Sequence, residues 1–271
     1  MAIKAIFFDM DETLIGTSLA TNVAYQHTKE HLHEKNTSSL MMGTLYKHAD
    51  KLIETFSHSL NSIKNEEYKL QSPRDIRIKL WDSAIQRVLT ENNATISFDE
   101  SLKSAEDLYK IWHDTRLNNL KMLEPTSLEV LCRLRKRYRL LLLTNGSSVV
   151  QWEKIKTLNF EKYFDYVLVS GDEPYDKPHP SIFQKACSIC HCLPDECTMV
   201  GDTIETDIKG ANDAKLAMSI YYERDCNKIE VDHYDDPSCI PSHRINSISD
   251  LLKIFMSKPN IEVRASETIT C

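Results

Sequence analysis

The stretch IKAIFFDMDETLIG, residues 3–16, decides how this chain is read. Residues 3–9 form an apolar run broken only by Lys4, with no polar alternation, as in strands buried on both faces of a parallel sheet. The run ends in Asp9, and Asp11 follows two positions on. Side chains two apart in a strand point the same way, so both carboxyls face one place at the strand's carboxyl end. Like charges held that close resist joint ionisation, and a carboxyl beside an ionised neighbour has its pKa raised. Two explanations compete. The pair is either solvated turn chemistry with Thr13 as a helix cap, or a site in which Asp9 is a nucleophile or metal ligand and Asp11 an acid/base.

Similar runs recur at residues 139–144, 166–170, 198–202 and 216–222, separated by helical patterns. Thr126 with Glu129 reads as a capping box opening a helix to Tyr138, and Ser148 with Gln151 as a second, opening a helix through Leu158. Pro180 suits the first turn of a third helix, ending near Cys192. Strand and helix in this alternation predict an α/β fold, a Rossmann-like doubly wound parallel sheet. Between Leu14 and Glu124 the rhythm breaks for over a hundred residues, too many for a connecting loop. Amphipathic patterns over 40–63, 76–89 and 98–120 predict an inserted all-helical domain of about four helices. The expected organisation is a core of residues 1–16 and 123–258, a helical cap of 17–122 lying as a lid over the strand ends, and a flexible tail, 259–271. Past Cys226 the chain turns polar, and only residues 248–255 read as a closing helix.

Of 271 residues, 41% are hydrophobic, enough to bury a proper core. The formal net charge of −7 speaks against nucleic acid or an anionic membrane surface as partner, since both favour a basic face. No apolar run reaches the length of a membrane span, and the first is too short for a signal peptide. The chain therefore reads as cytoplasmic, and matches to the glycosylation pattern at 36–38, 93–95 and 145–147 as chance. Nothing in the sequence fixes an oligomeric state; a monomer is the working assumption. Eight cysteines fit a reducing or an oxidising compartment. Cys187 and Cys190, near His191, Cys192 and Cys197, have the spacing of zinc ligands. However, Ile182, Phe183, Ala186, Cys187, Ile189 and Cys190 form an apolar helical stripe, in which cysteine serves as a small hydrophobe against the sheet. Trp81 and Trp112 read as core residues of their helices rather than sugar platforms.

The later strand ends favour a site at the first. Thr144-Asn145-Gly146 closes the leucine-rich run with a hydroxyl and an amide, and Gly146 permits a tight turn with backbone N–H groups turned to an anion. Lys177 follows the third strand, and Gly201-Asp202 ends the fourth, with Asp207 four residues beyond Thr203. Open α/β sheets bind ligands at this edge. Carboxylates, a hydroxyl and an ammonium together suit attack on a phosphate with Mg²⁺ present: a hard cation on oxygen ligands and a lysine offset the repulsion between anionic nucleophile and phosphoryl group.

Asp9-Met10-Asp11-Glu12-Thr13, Thr144, Lys177 and Gly201-Asp202 with Asp207 resemble, in order and spacing, the four signature motifs of the haloacid dehalogenase superfamily of phosphatases. The resemblance implies that Asp9 attacks phosphorus, that Asp11 protonates the leaving alcohol and later deprotonates water, and that Asp9, the backbone oxygen of Asp11 and Asp202 hold Mg²⁺. It implies phosphate binding by the N–H groups of Met10 and Glu12 with Thr144, Asn145 and Lys177, and Thr13 in support. Asp207 would orient Lys177 or a water on the metal, and the helical insertion would be that superfamily's cap. Residues 112–117, 140–146, 177–183 and 199–208 further resemble a branch of the family that acts on a phosphorylated acidic sugar. On that basis Arg116 is the expected reader of the sugar's carboxylate, because a guanidinium fork pairs with it bidentately; an exposed helix arginine beside Asp114 is the simpler alternative. Other small phosphates, a phosphosugar mutase and a catalytically silent interaction module stay open. A dehalogenase would leave Asp11 and Asp202 without work.

Overall fold

A computed structural model describes residues 2–34, 40–63, 65–224 and 235–256. The chain divides into two compact units, Met1–Gly16 with Lys121–Cys271, and Thr17–Leu120.

The first unit is built on six parallel strands, β1 (Ala5–Phe8), β2 (Arg139–Thr144), β3 (Tyr166–Val169), β4 (Cys197–Gly201), β5 (Met218–Tyr222) and β6 (His243–Ile245), in the order β3-β2-β1-β4-β5-β6. Phe8 aligns with Leu142 on one side and Val200 on the other, so β1, β2 and β4 end side by side. The strand order reverses at β1, and crevices for ligands open at such a switch point. The connecting helices are α7 (Ser127–Arg135), α8 (Ser148–Thr157), α9 (Pro180–Ile189), α10 (Lys209–Asp213) and α11 (Asp250–Met256), numbered after six in the other unit. Pro180 stands in the first turn of α9 as expected. One face of the sheet packs Phe7, Leu141 and Met199 against Ile182, Phe183, Ala186, Cys187 and Cys190, so the cysteines fill the core as small hydrophobes.

Several local expectations change. Neither capping box forms: Thr126 has helical dihedrals and its hydroxyl meets Ser249 Oγ at 3.2 Å, while α8 is capped at Ser147 without a side-chain bond. A complete box does open α6 (Phe98–Asn118), where Ser97 and Glu100 bond reciprocally. Strand β6 went unread because it is three residues long with two exposed, too short and too wet for a periodic signal.

The second unit holds six helices among the described residues rather than about four: α1 (Thr17–Glu34), α2 (Leu40–Lys47), α3 (Ala49–Ser62), α4 (Asn65–Leu70), α5 (Pro73–Glu91) and α6 (Phe98–Asn118). The pattern over 40–63 breaks at His48 into α2 and α3 without losing its period. Trp81 and Trp112 are buried in its core, with Trp81 stacked on Phe56 at 3.8 Å between centroids and Trp112 edge-on to Phe56 at 5.4 Å. Among the described residues, no helix is long and apolar enough to cross a membrane. The glycosylation match at 36–38 and the expected tail at 259–271 lie outside the described residues.

Candidate active site

Lys177 stands at the centre of the switch point. Its side chain is 2% exposed, and its ammonium donates to Asp9 Oδ1 at 2.6 Å, Asp207 Oδ1 at 2.7 Å and the Leu143 carbonyl at 3.0 Å. Asn145 fixes the lysine's backbone: its amide donates to the Lys177 carbonyl at 2.8 Å, and its Oδ1 accepts from the Lys177 N–H at 2.9 Å. On the other side, Thr13 donates to Asp202 Oδ1 at 2.9 Å and lies 3.4 Å from Asp9 Oδ2. A π-helical turn, Ile204–Ile208, carries Asp207 back to the strand ends, where its Oδ2 accepts the Thr203 N–H at 3.1 Å. Gly201 is required beneath it, since a Cβ there would sit 2.2 Å from Asp207 Oδ2.

Burial sets the electrostatics. Desolvation pushes Asp9 up to about 7 and Asp202 up to about 6, and the neighbouring carboxylates add to both. Asp207 is raised by desolvation too, against the pull of Lys177. For Lys177 desolvation works downward, but Asp207 and Asp9 outweigh it and hold the ammonium charged. Oxygens of Asp9, Asp202 and Asp207 all lie within 4.8 Å of one another. One ammonium balances one of three carboxylates, and the two units of negative charge left match a divalent cation. The donors are all oxygen, which fits a hard ion such as Mg²⁺. Asp207 spends both oxygens on Lys177 and Thr203, so Asp9 and Asp202 are the carboxylates best placed to hold it.

Asp11, whose charge is felt at Asp9, has its own set of donors. Both of its carboxylate oxygens accept from Lys154 Nζ, at 2.8 and 2.7 Å, and Gln151 Nε2 donates to Oδ2 at 2.9 Å. The same Gln151 amide donates to Thr144 Oγ1 at 2.6 Å and to the Asn145 carbonyl at 2.8 Å.

Three expected phosphate donors are engaged within the protein instead. The Asn145 side chain is consumed by Lys177. The Glu12 N–H donates to the Ile15 carbonyl at 2.8 Å in a turn where Glu12 takes φ +58°, and its carboxylate pairs with Arg224 at 2.7 Å. Gly146 does adopt φ +125°, yet its N–H donates to Ser170 Oγ at 3.1 Å. Met10 is fully buried, and its carbonyl accepts from Leu14 and Ile15. Arg116 belongs to the helical unit, where it is buried rather than exposed: its Nε donates to Thr21 Oγ1 at 3.0 Å, and its guanidinium lies 5.7 Å from the Trp112 ring centre.

Residues 3–215 match the hydrolase family described as haloacid dehalogenase-like hydrolase. The chain belongs to the haloacid dehalogenase-like hydrolases. It is 33% identical over 259 residues to N-acylneuraminate-9-phosphatase of Homo sapiens, with 94% of each chain covered. Glyceraldehyde 3-phosphate phosphatase of Pyrococcus furiosus is 31% identical over 215 residues, 79% of this chain and 78% of its own. A solved 2-haloacid dehalogenase from Pseudomonas syringae shares the fold with a TM-score of 0.63, over 94% of this chain and 99% of that one, at 21% identity. Membership in the haloacid dehalogenase-like hydrolases, together with relatives named as phosphatases, supports phosphoric monoester hydrolase activity.

Within this haloacid dehalogenase-like site, sequence reasoning missed Lys154 and Gln151. Gln151 reads in sequence as part of a capping box, and no box forms there. Lys154 looks like any lysine of an amphipathic helix, and its spacing of three from Gln151, which puts both on one helix face, was the one available signal.

Proposed function

We propose that the protein is a Mg²⁺-dependent phosphomonoesterase that works through an aspartyl-phosphate, with N-acylneuraminate 9-phosphate as its substrate. The observation that carries the reading is the buried carboxylate of Asp9, bonded to the Lys177 ammonium at 2.6 Å in a cluster with Asp202 and Asp207. Asp9 attacks phosphorus; the ester P–O bond breaks, and its electron pair stays on the departing oxygen, which takes a proton from Asp11. A water then gives its proton to Asp11 and attacks the same phosphorus, which releases phosphate and restores Asp9. Splitting one displacement into two lowers the barrier of each. Bound by Asp9, Asp202 and the backbone oxygen of Asp11, Mg²⁺ would supply charge against the phosphate oxygens and keep Asp9 ionised. Lys177 adds a fixed positive charge on the same oxygens, and Asp207 with Asn145 keeps it in place. Thr144, through its hydroxyl, and the N–H of Met10 complete the phosphate contacts.

For the substrate, the support is likeness to N-acylneuraminate-9-phosphatase over nearly the whole chain and the chemistry of the helical unit. That unit contains a cavity of about 490 Å³ lined by Thr21, Tyr25, Tyr68, Arg77, Trp112 and Arg116, among others. Arg77 is 6% exposed, its guanidinium lies 5.4 Å from the Trp112 ring centre, and its Nε and the Trp112 Nε1 are buried without hydrogen-bond partners. We assign the substrate carboxylate to Arg116, with the reaction in cytoplasmic sialic acid synthesis. Glyceraldehyde 3-phosphate is the second candidate, favoured by the archaeal relative. Phosphate release from both compounds, measured with Mg²⁺ and with chelator and alongside Asp9→Asn, tests the reading. Release that survives chelation or Asp9→Asn ends the mechanism, and a preference for glyceraldehyde 3-phosphate ends the substrate assignment.

A further inference from the structure

The geometry points to Lys154 as a positioning residue for the acid/base carboxyl, a role that rests on the proposed function of Asp11. An acid that must reach the departing ester oxygen needs a fixed side-chain direction, but Asp11 sits in a turn after the strand, 30% exposed, next to a residue at φ +58°. The strand itself cannot orient it. Helix α8 supplies what the turn lacks. Gln151 and Lys154, 2% and 3% exposed, present an amide and an ammonium from one helix face, and three of their hydrogen bonds end on the two oxygens of Asp11. The ammonium bonds both oxygens, which fixes the plane of the carboxylate as well as its direction. Gln151 joins this arrangement to Thr144 and Asn145, so the acid/base and the phosphate-facing end of β2 are tied to one rigid element. Charge-assisted bonds of this kind are the strong ones. A buried ammonium is costly unless a carboxylate meets it, and Asp11 meets this one.

A residue that places the acid matters only for leaving groups that need one. Alkyl phosphates release a strongly basic alkoxide and require protonation; p-nitrophenyl phosphate releases a phenolate that departs unaided. The quantity kcat/KM reports steps up to departure of the alcohol, before water enters. General acid catalysis contributes about 10²–10⁴-fold, and misplacement by an ångström costs about 10²-fold. Lys154→Met, an apolar replacement of similar length, is expected to lower kcat/KM for N-acetylneuraminate 9-phosphate and glyceraldehyde 3-phosphate by about 10²-fold, and for p-nitrophenyl phosphate far less. Asp11→Asn, assayed in parallel, is expected to show the same selectivity at larger size. If Asp11→Asn slows all three substrates alike, the acid/base reading of Asp11 fails. If Asp11→Asn is selective while Lys154→Met slows all three alike, or none, the positioning role of Lys154 is overturned and the reading of Asp11 stands. Should Lys154→Met melt below the assay temperature, Lys154→Gln keeps one donor to Asp11, and the same selectivity, at smaller size, is expected of it.

Discussion

Replacing Lys177 by methionine tests the electrostatic account most directly. The substitution keeps length and apolar stem but removes a charge that is 2% exposed and makes hydrogen bonds of 2.6, 2.7 and 3.0 Å. Two buried carboxylates, Asp9 and Asp207, then face each other without a counter-charge. Breaking a buried ion pair from one side costs about 3–5 kcal/mol when the remaining group stays ionised. These groups have an escape, since protonation removes the repulsion. Burial already places Asp9 at about 7 and Asp202 at about 6, both above their unfolded values. In that situation the native state binds more protons than the unfolded one between roughly pH 4 and 7, so stability is fully present below that window and is lost as pH rises through it. Lys177 works against this loss by pulling Asp9 and Asp207 down, and without it the window widens upward. The penalty of Lys177→Met is therefore expected to be largest near pH 8, about 3–5 kcal/mol, and to shrink by at least half near pH 5.5. Urea unfolding of both proteins in chelator at the two pH values measures it. An equal penalty at both would refute the claim that Lys177 holds carboxylates ionised. Activity is expected to fall at least about 10²-fold, as for loss of one donor to a developing charge.

Asp9→Asn is expected to abolish phosphate release while raising the melting temperature of metal-free protein near pH 8, because it removes one desolvated carboxylate; a scanning melt beside the assay checks both. Asp202→Asn is expected to raise the Mg²⁺ concentration for half-maximal activity, read from a titration after chelation, since it removes one of two carboxylates placed for the ion. Gly201→Ala drives a methyl to 2.2 Å from Asp207 Oδ2; overpacking of this kind costs about 1–3 kcal/mol, and with Asp207 displaced kcat falls as well. Arg116→Ala removes charge-assisted bonds worth about 1.5–3 kcal/mol, so KM for N-acetylneuraminate 9-phosphate is expected to rise roughly 10–100-fold, with glyceraldehyde 3-phosphate unaffected. An unchanged KM would return Arg116 to a purely structural place on Trp112.

The strands β1 to β5 were legible because burial on both faces writes itself along the chain as an unbroken apolar run, as in Arg139–Thr144, where five of six residues are buried. β6 obeys no such rule, with a single buried residue, Ile245. In the helical unit the period of 3.6 survives a break, so Leu40–Lys47 and Ala49–Ser62 lie within one amphipathic pattern that does not show the break between them. The site divides the same way. Asp9, Thr144, Lys177 and Asp202 stand at or near strand ends, where sequence order and sheet topology together dictate convergence. The groups around them do not. In α8, Lys154 and Lys156 are two positions apart and chemically identical, yet the first is 3% exposed and the second faces solvent. Asp11, 143 residues away in sequence, bonds the first of them. Asn145 is the same case: read alone it is a donor to a ligand, and it becomes a clamp because Lys177, 32 residues on, brings its N–H and carbonyl within bonding distance. A nucleophile's place follows from its own strand, whereas an orienting group is defined by a partner from a distant segment. Substitutions at Lys154 and Asn145 therefore separate the two kinds of knowledge: loss of function there would trace to contacts that no local pattern in the chain encodes.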